Sequence, residues 1–113
     1  MKYRGIVHEG KKHGRALGYP TANITLSDET ISGVYAGNVS LANHEYHAAI
    51  FADQKRQVLE AHILDFSDEV YGTEIQIELC KKLRERIQFE NEDDLKAQIR
   101  KDIEHVVEYF QSL

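Results

Sequence analysis

Thr21 and Asn23 are separated by a single alanine. If the backbone stays extended, their side chains leave it on the same side, as residues two apart do in a strand. Pro20 favours that state: it fixes its own φ and pushes Tyr19 toward an extended conformation. A hydroxyl and an amide oxygen side by side can act as hard oxygen ligands, and magnesium takes such ligands when phosphates and water complete its octahedron. A polar pair capping a turn is the plainer alternative. Just upstream, Gly10, Gly14 and Gly18 stand four residues apart with Lys11, Lys12 and Arg15 among them. Glycines allow close backbone approach, and the cations favour an anion, so the stretch has the ingredients of a polyphosphate cradle. No Gly-Lys-Ser/Thr ends it, so it is not a Walker A loop. The alternative is an exposed basic loop between two strands.

Glu60 is the third candidate. In a strand expected over 57–66 it shares a face with Val58, His62, Leu64 and Phe66. A carboxylate among apolar neighbours is costly unless paired or functional. Desolvation raises its proton affinity and suits it to act as a base; a salt bridge on an open sheet face is the competing role. His62 either supports Glu60 or satisfies a backbone carbonyl. His44 and His47 have a short spacing, but they lie at an expected turn with no third ligand nearby, which makes a zinc site an unfavoured reading.

The surrounding pattern says what must hold these groups. Residues 3–8 can form a strand leading into the glycine loop. Strands are expected at 33–41 and 46–52, joined by a hairpin turn at Ala42-Asn43-His44-Glu45. Further strands are expected at 57–66 and 74–80, the latter alternating Ile75, Ile77 and Leu79 inward against Glu74, Gln76 and Glu78 outward, with a turn at Ser67–Glu69 between them. The period then changes: Leu95, Ile99, Ile103, Val106 and Phe110 form one helical stripe, with Asn91 as N-cap and Glu92, Asp93 and Asp94 at the positive end of the helix dipole. Five or six short strands followed by one helix give a mainly β fold, a small antiparallel barrel with a helix packed on it.

Composition narrows the function classes. A chain of 113 residues, 42% hydrophobic, builds about one domain with one modest core. The net charge of −5 argues against general nucleic-acid or membrane binding. Residues 1–20 carry five basic side chains against Glu9, so a basic start stands on an acidic remainder, which suits a small anionic ligand. Cys80 is the only cysteine, is expected to pack among strand positions, and fits a reducing cytoplasm. The N-terminus has no signal-peptide pattern, and no apolar run reaches the roughly 20 residues that span a bilayer.

The motifs together resemble the riboflavin kinases. Gly10-x-x-x-Gly14-Arg15-x-Leu17-Gly18-Tyr19-Pro20-Thr21-Ala22-Asn23 is similar to that family's signature, and Gly33-Val34-Tyr35-Ala36-Gly37 to the strand after it. Leu59-Glu60-Ala61-His62-Ile63-Leu64-Asp65-Phe66 resembles its catalytic strand, followed in order by Val70-Tyr71-Gly72, Lys82-Leu83-Arg84 and Gln98-Ile99-x-x-Asp102. The match spans nearly the whole chain. It implies a six-stranded Greek-key barrel with a C-terminal helix, formed by residues 1–113 as a single domain. It implies magnesium-dependent transfer of the γ-phosphoryl group of ATP to the 5′-hydroxyl of riboflavin, forming FMN, in a cytoplasmic monomer without nucleic-acid or membrane partners. By the same resemblance Glu60 is the catalytic base and Thr21 and Asn23 hold the metal. Gly10, Arg15, Gly18, Ile63 and Tyr71 belong to the ATP site, and Arg84 and Phe89 contact the flavin. Read from the residues alone, Arg84 could be a surface ion pair and Phe89 a hydrophobic staple against Leu95. The segment Ala48–Arg56 is shorter than the family's usual connection, and Arg86-Ile87-Gln88 stands where the family commonly has Glu and a nearby Lys. Bacterial relatives usually join such a domain to an adenylyltransferase, so the chain is either a stand-alone kinase or one domain of a larger protein. A non-catalytic flavin- or nucleotide-binding regulator with the same fold is the alternative function; a single-strand nucleic-acid barrel is opposed by the acidic balance.

Overall fold

The structure is a computed structural model that describes residues 1–9, 18–66 and 70–113. Gly10, Lys11, Lys12, Gly14 and Arg15 of the glycine loop, and the turn expected at Ser67–Glu69, lie outside the described residues. Six strands run through the rest: β1 Lys2–Ile6, β2 Ala22–Thr25, β3 Gly33–Leu41, β4 His44–Asp53, β5 Val58–Ile63 and β6 Glu74–Arg84. One helix, α1, spans Glu92–Gln111. The strands form a single antiparallel sheet in the order β1-β6-β3-β4-β5-β2. The order 6-3-4-5 is a Greek key: three hairpin-connected strands and a fourth returning beside the first. The edge strands β1 and β2 approach each other, and the His8 N–H donates to the Asn23 carbonyl at 2.9 Å, which brings the sheet to a near-closed barrel. The expected mainly β barrel with a C-terminal helix is therefore observed.

Alternation fills the barrel. Ile24, Val39, Ile50, Leu59, Ile75 and Ile77 point inward and are essentially unexposed. The β3–β4 turn is tighter than expected, two residues, Ala42 and Asn43, with φ of 50° and 67°. Both left-handed residues match the twist of the flanking strands. β5 is shorter than expected: Asp65 takes a left-handed φ of 56°, so the strand stops at Ile63, and Phe66 turns away to pack edge-on against Tyr46 at 5.1 Å. β6 is longer than expected because it is bulged. Its register against β3 steps between Gly37↔Leu79 and Ala36↔Lys81, and again between Tyr35↔Lys82 and Val34↔Arg84. Cys80 is the extra residue at the first step and is exposed, not packed as expected.

The helix covers the outside of the barrel, lying on β3 and β4. Its stripe is as expected in outline, with Val106 fully buried and the Phe110 ring stacked on His47 at 3.7 Å, 4° from parallel. Asp102 shares that buried face. Among the described residues no helix is long and apolar enough to cross a membrane. At its start, the Asn91 side-chain oxygen accepts the Asp94 N–H at 2.9 Å. An N-cap of this kind contributes about 1 kcal/mol. Asn91→Ala should therefore lower the melting temperature by roughly 4 °C in a domain of this size, while Asn91→Ser should restore most of it; calorimetry reads both.

Candidate functional site

Strand register sets the site. Directly paired residues form one rung across five strands: Asn23 opposite Glu60, Glu60 opposite Phe51, Phe51 opposite Val34, and Val34 opposite Arg84. Leu59, Ala61 and Ile63 of β5 face the barrel interior, so Glu60 and His62 face out. Glu60 thus sits on the outer face, not among Leu64 and Phe66 as the sequence pattern suggests; those two lie beyond the strand's end. The two bulges in β6 bring Arg84 into line with this rung. Gly33 allows the approach: its φ is +91°, and a Cβ there would run into the Arg84 carbonyl oxygen.

The outer face becomes a cleft because the C-terminal segment closes over it. The cleft measures about 410 Å³, with Thr21, Asn23, Glu60 and His62 on the sheet side and Phe89, Leu95 and Ile99 opposite. Arg84 ties the two sides together. Its Nε and one terminal nitrogen each donate to a different oxygen of Asp102 at 2.7 Å, its other terminal nitrogen donates to the Glu85 carbonyl at 3.0 Å, and Gln98 adds a 3.0 Å bond to Asp102. The pair is mostly removed from water, with side chains 19% and 6% exposed. Arg84 is thus an ion pair, but a half-buried one that docks the helix. Asp102 at a core-facing helical position was the available signal: a carboxylate in an apolar stripe needs a cation.

The Glu60 carboxylate is not isolated. Arg56 pairs with it, and the same guanidinium donates through Nε to Asp53 at 2.7 Å. Asp53 also accepts the backbone N–H groups of Lys55 and Arg56 at 3.1 and 3.3 Å, which folds the β4–β5 turn around it. Burial would raise the Asp53 carboxyl, but the hydrogen bonds and charge of Arg56 outweigh it and hold it below the usual carboxylate range. Sequence reasoning missed Arg56 and Asp53, since neither lies in a motif.

Asn23 has a different anomaly. It is 4% exposed, and its side-chain oxygen has no hydrogen-bond partner among the described residues. An unmet buried acceptor costs about 1–3 kcal/mol, and a bound cation would satisfy it. Thr21 lines the same cleft. The donor set therefore fits a magnesium ion held between a hydroxyl and an amide oxygen. His62 resolves toward the backbone: its Nδ1 donates to the Pro20 carbonyl at 2.8 Å, and Tyr19 packs edge-on to the imidazole at 5.6 Å, pinning the approach to Thr21. Gly18 is exposed with φ +90° where the described chain resumes. Ile63 lies in the barrel core and Tyr71 is exposed in a turn, so neither lines this cleft; Gly10 and Arg15 lie outside the described residues. Arg84 and Phe89 do line it.

Comparison with known proteins follows the geometry. The profile of the family described as riboflavin kinase matches residues 1–110. A bifunctional riboflavin kinase/FMN adenylyltransferase of Haemophilus influenzae is 42% identical over 96% of this chain and 38% of its own length. An RNA-binding riboflavin kinase, RibR, of Bacillus subtilis is 33% identical over 95% of this chain and 50% of its own. The chain thus spans about two fifths to one half of these relatives. Among solved structures, a protein described as a macrolide-efflux protein of Streptococcus pneumoniae superposes with a TM-score of 0.78 at 30% identity, covering 91% of this chain and 37% of that one. The riboflavin kinase of Trypanosoma brucei superposes with a TM-score of 0.72 at 22% identity, covering 97% and 76%, and shares the fold.

The Arg84–Asp102 pair yields a stability test. Removing one member of a buried pair strands the other and costs about 3–5 kcal/mol. Asp102→Ala should lose that much in urea denaturation. Replacing both members by apolar residues, Arg84→Met with Asp102→Leu, should recover most of it. If the double variant is less stable than Asp102→Ala, the pair is not the element that docks the helix.

Proposed function

The chain belongs to the riboflavin kinase family, and from that premise we propose that it transfers the γ-phosphoryl group of ATP to the ribityl 5′-hydroxyl of riboflavin, giving FMN and ADP. The observation that carries the reading is the shared wall: Asn23, Glu60 and Arg84 on one rung, Thr21 beside them, Phe89 across the cleft. Glu60 accepts the hydroxyl proton. The hydroxyl oxygen bonds to the γ-phosphorus, the bond from that phosphorus to the β,γ-bridging oxygen breaks, and ADP leaves with the electron pair. Thr21 Oγ1 and Asn23 Oδ1 are the atoms that would hold magnesium, which when bound offsets negative charge on the transferring group. Phe89 offers a flat apolar surface to the flavin ring. Positioning and electrostatics supply most of what such a reaction needs.

A flavin- or nucleotide-binding domain without turnover is the second reading. The observation in its favour is Arg56 on Glu60, since the carboxylate then already has a partner within the fold. RNA binding, named for the Bacillus subtilis relative, is not carried over, because a net charge of −5 opposes a polyanion.

Incubation with riboflavin, ATP and magnesium, with FMN read by chromatography, separates the two readings. In single-turnover measurements Glu60→Gln should slow FMN formation by roughly 10²–10⁴-fold with both substrates still bound. Near-parental turnover in that variant removes Glu60 as the base even if the protein is a kinase. Thr21→Val should lower activity, with partial recovery at high magnesium, and should shrink the rise in melting temperature produced by magnesium and ATP together. An unchanged magnesium dependence in both readouts defeats the metal assignment.

A further inference from the structure

The proposed reaction gives Arg56 no task, yet its geometry is built. Asp53, 5% exposed, receives two backbone N–H groups and the Arg56 Nε, so the start of the β4–β5 turn fixes the root of the guanidinium. Gln57, the next residue, takes a left-handed φ of 54°, which completes a four-residue connection between Asp53 and Val58. The Arg56 side chain thereby reaches along β5. One terminal nitrogen then meets Oε1 of Glu60, four residues on. Both side chains line the cleft.

We infer that Arg56 is a positioning residue for the transfer: anchored by Asp53, it holds the Glu60 carboxylate in place to receive the hydroxyl proton. The inference rests on Glu60 being the base. A glutamate has three side-chain torsions, and fixing it costs conformational entropy that the bridge meets before substrate arrives. Catalysis by approximation is sensitive to such placement, since a displacement of about 1 Å can cost about 10²-fold. A guanidinium suits the task because its rigid fork can serve two carboxylates at once, whereas an ammonium on a flexible stem cannot keep both in register.

Four variants test this, each compared per folded molecule in steady-state FMN formation, with single-turnover rates as a check on the chemical step. Arg56→Met keeps the aliphatic stem and should lower kcat on the order of 10–100-fold, with KM for riboflavin and ATP within about threefold of the parent. Arg56→Lys keeps the charge and should fall between. Asp53→Asn loosens the anchor from the other side and should lower kcat in the same direction. The decisive variant is Arg56→Met combined with Glu60→Gln. If Arg56 works through Glu60, the pair is no slower than Glu60→Gln alone, because the effect of positioning vanishes with the base. Multiplying effects in the double variant, or a parental or raised kcat in Arg56→Met, overturns the inference while leaving the base assignment intact. Parental turnover in Glu60→Gln overturns the base assignment and this inference with it. Should Arg56→Met fail to fold, Arg56→Lys alone and in combination with Glu60→Gln gives the same comparison.

Discussion

The bidentate pair between Arg84 and Asp102 is the contact on which the rest of the molecule's chemistry depends. A barrel of this size fills its interior with side chains and has no room for a ligand there. Anything it binds must sit on a wall. A bare outer wall is open to water, where hydrogen bonds and charges are weak discriminators. Docking a helix on β3 and β4 changes that, leaving a cleft lined in part by Val34 of β3. Apolar burial supplies much of the adhesion, through Val106 and its neighbours. Its direction comes from the ion pair, because two fork-shaped partners at 2.7 Å accept one relative orientation and an unpartnered member is costly.

Strand alternation then divides labour between the two faces. On β5, Leu59, Ala61 and Ile63 build the core while Glu60 and His62 look outward; on β2, Ala22 and Ile24 are core and Asn23 is not. A slip of one residue would exchange these sets, exposing isoleucine and burying a carboxylate. The free energy of the core therefore fixes the register, and the register fixes the spacing of Asn23, Glu60 and Phe51 along one rung. Stability and site geometry share one cause. The bulges in β6 are the local exception: they break the alternation at Cys80 and again before Arg84, and the product is an arginine in the same rung as the glutamate.

Much of this was legible in the chain. The clean alternation of Glu74 to Leu79, the helical stripe from Leu95 to Phe110 and the Asn91 cap carry strong local signals, and β3 has the bounds its sequence suggests. Motif residues Thr21, Asn23, Glu60, Arg84 and Phe89 do gather at one cleft. What was not legible depends on single backbone torsions or on long-range partners. Nothing local says that Asp65 will adopt a left-handed φ and end β5 before Phe66, or that β6 will bulge and expose Cys80. Alternation says that residues 58, 60, 62 and 64 share a face; it does not say that the face is the outside of a barrel. The same alternation sends the Ile63 side chain to the core. Arg56 stayed invisible because its partners are set by a turn whose shape comes from Asp53.

The cleft's polar groups divide into two kinds, and the division bears on function. Arg56, Asp53, Arg84, Asp102 and His62 have partners within the fold. They hold the walls rigid, and a charge held at both ends does not need to reorganise when a ligand arrives. The side-chain oxygen of Asn23 has none among the described residues, and it stands beside Glu60 on the neighbouring strand of the same rung. A fold selected for stability alone would place an apolar residue at Asn23, where an unmet acceptor costs about 1–3 kcal/mol. Keeping that acceptor beside a carboxylate makes sense if an external cation completes the set. A metal-bound nucleotide would bring such a cation, and the rigid partners around Asn23 and Glu60 keep the two at a fixed separation before substrate binds.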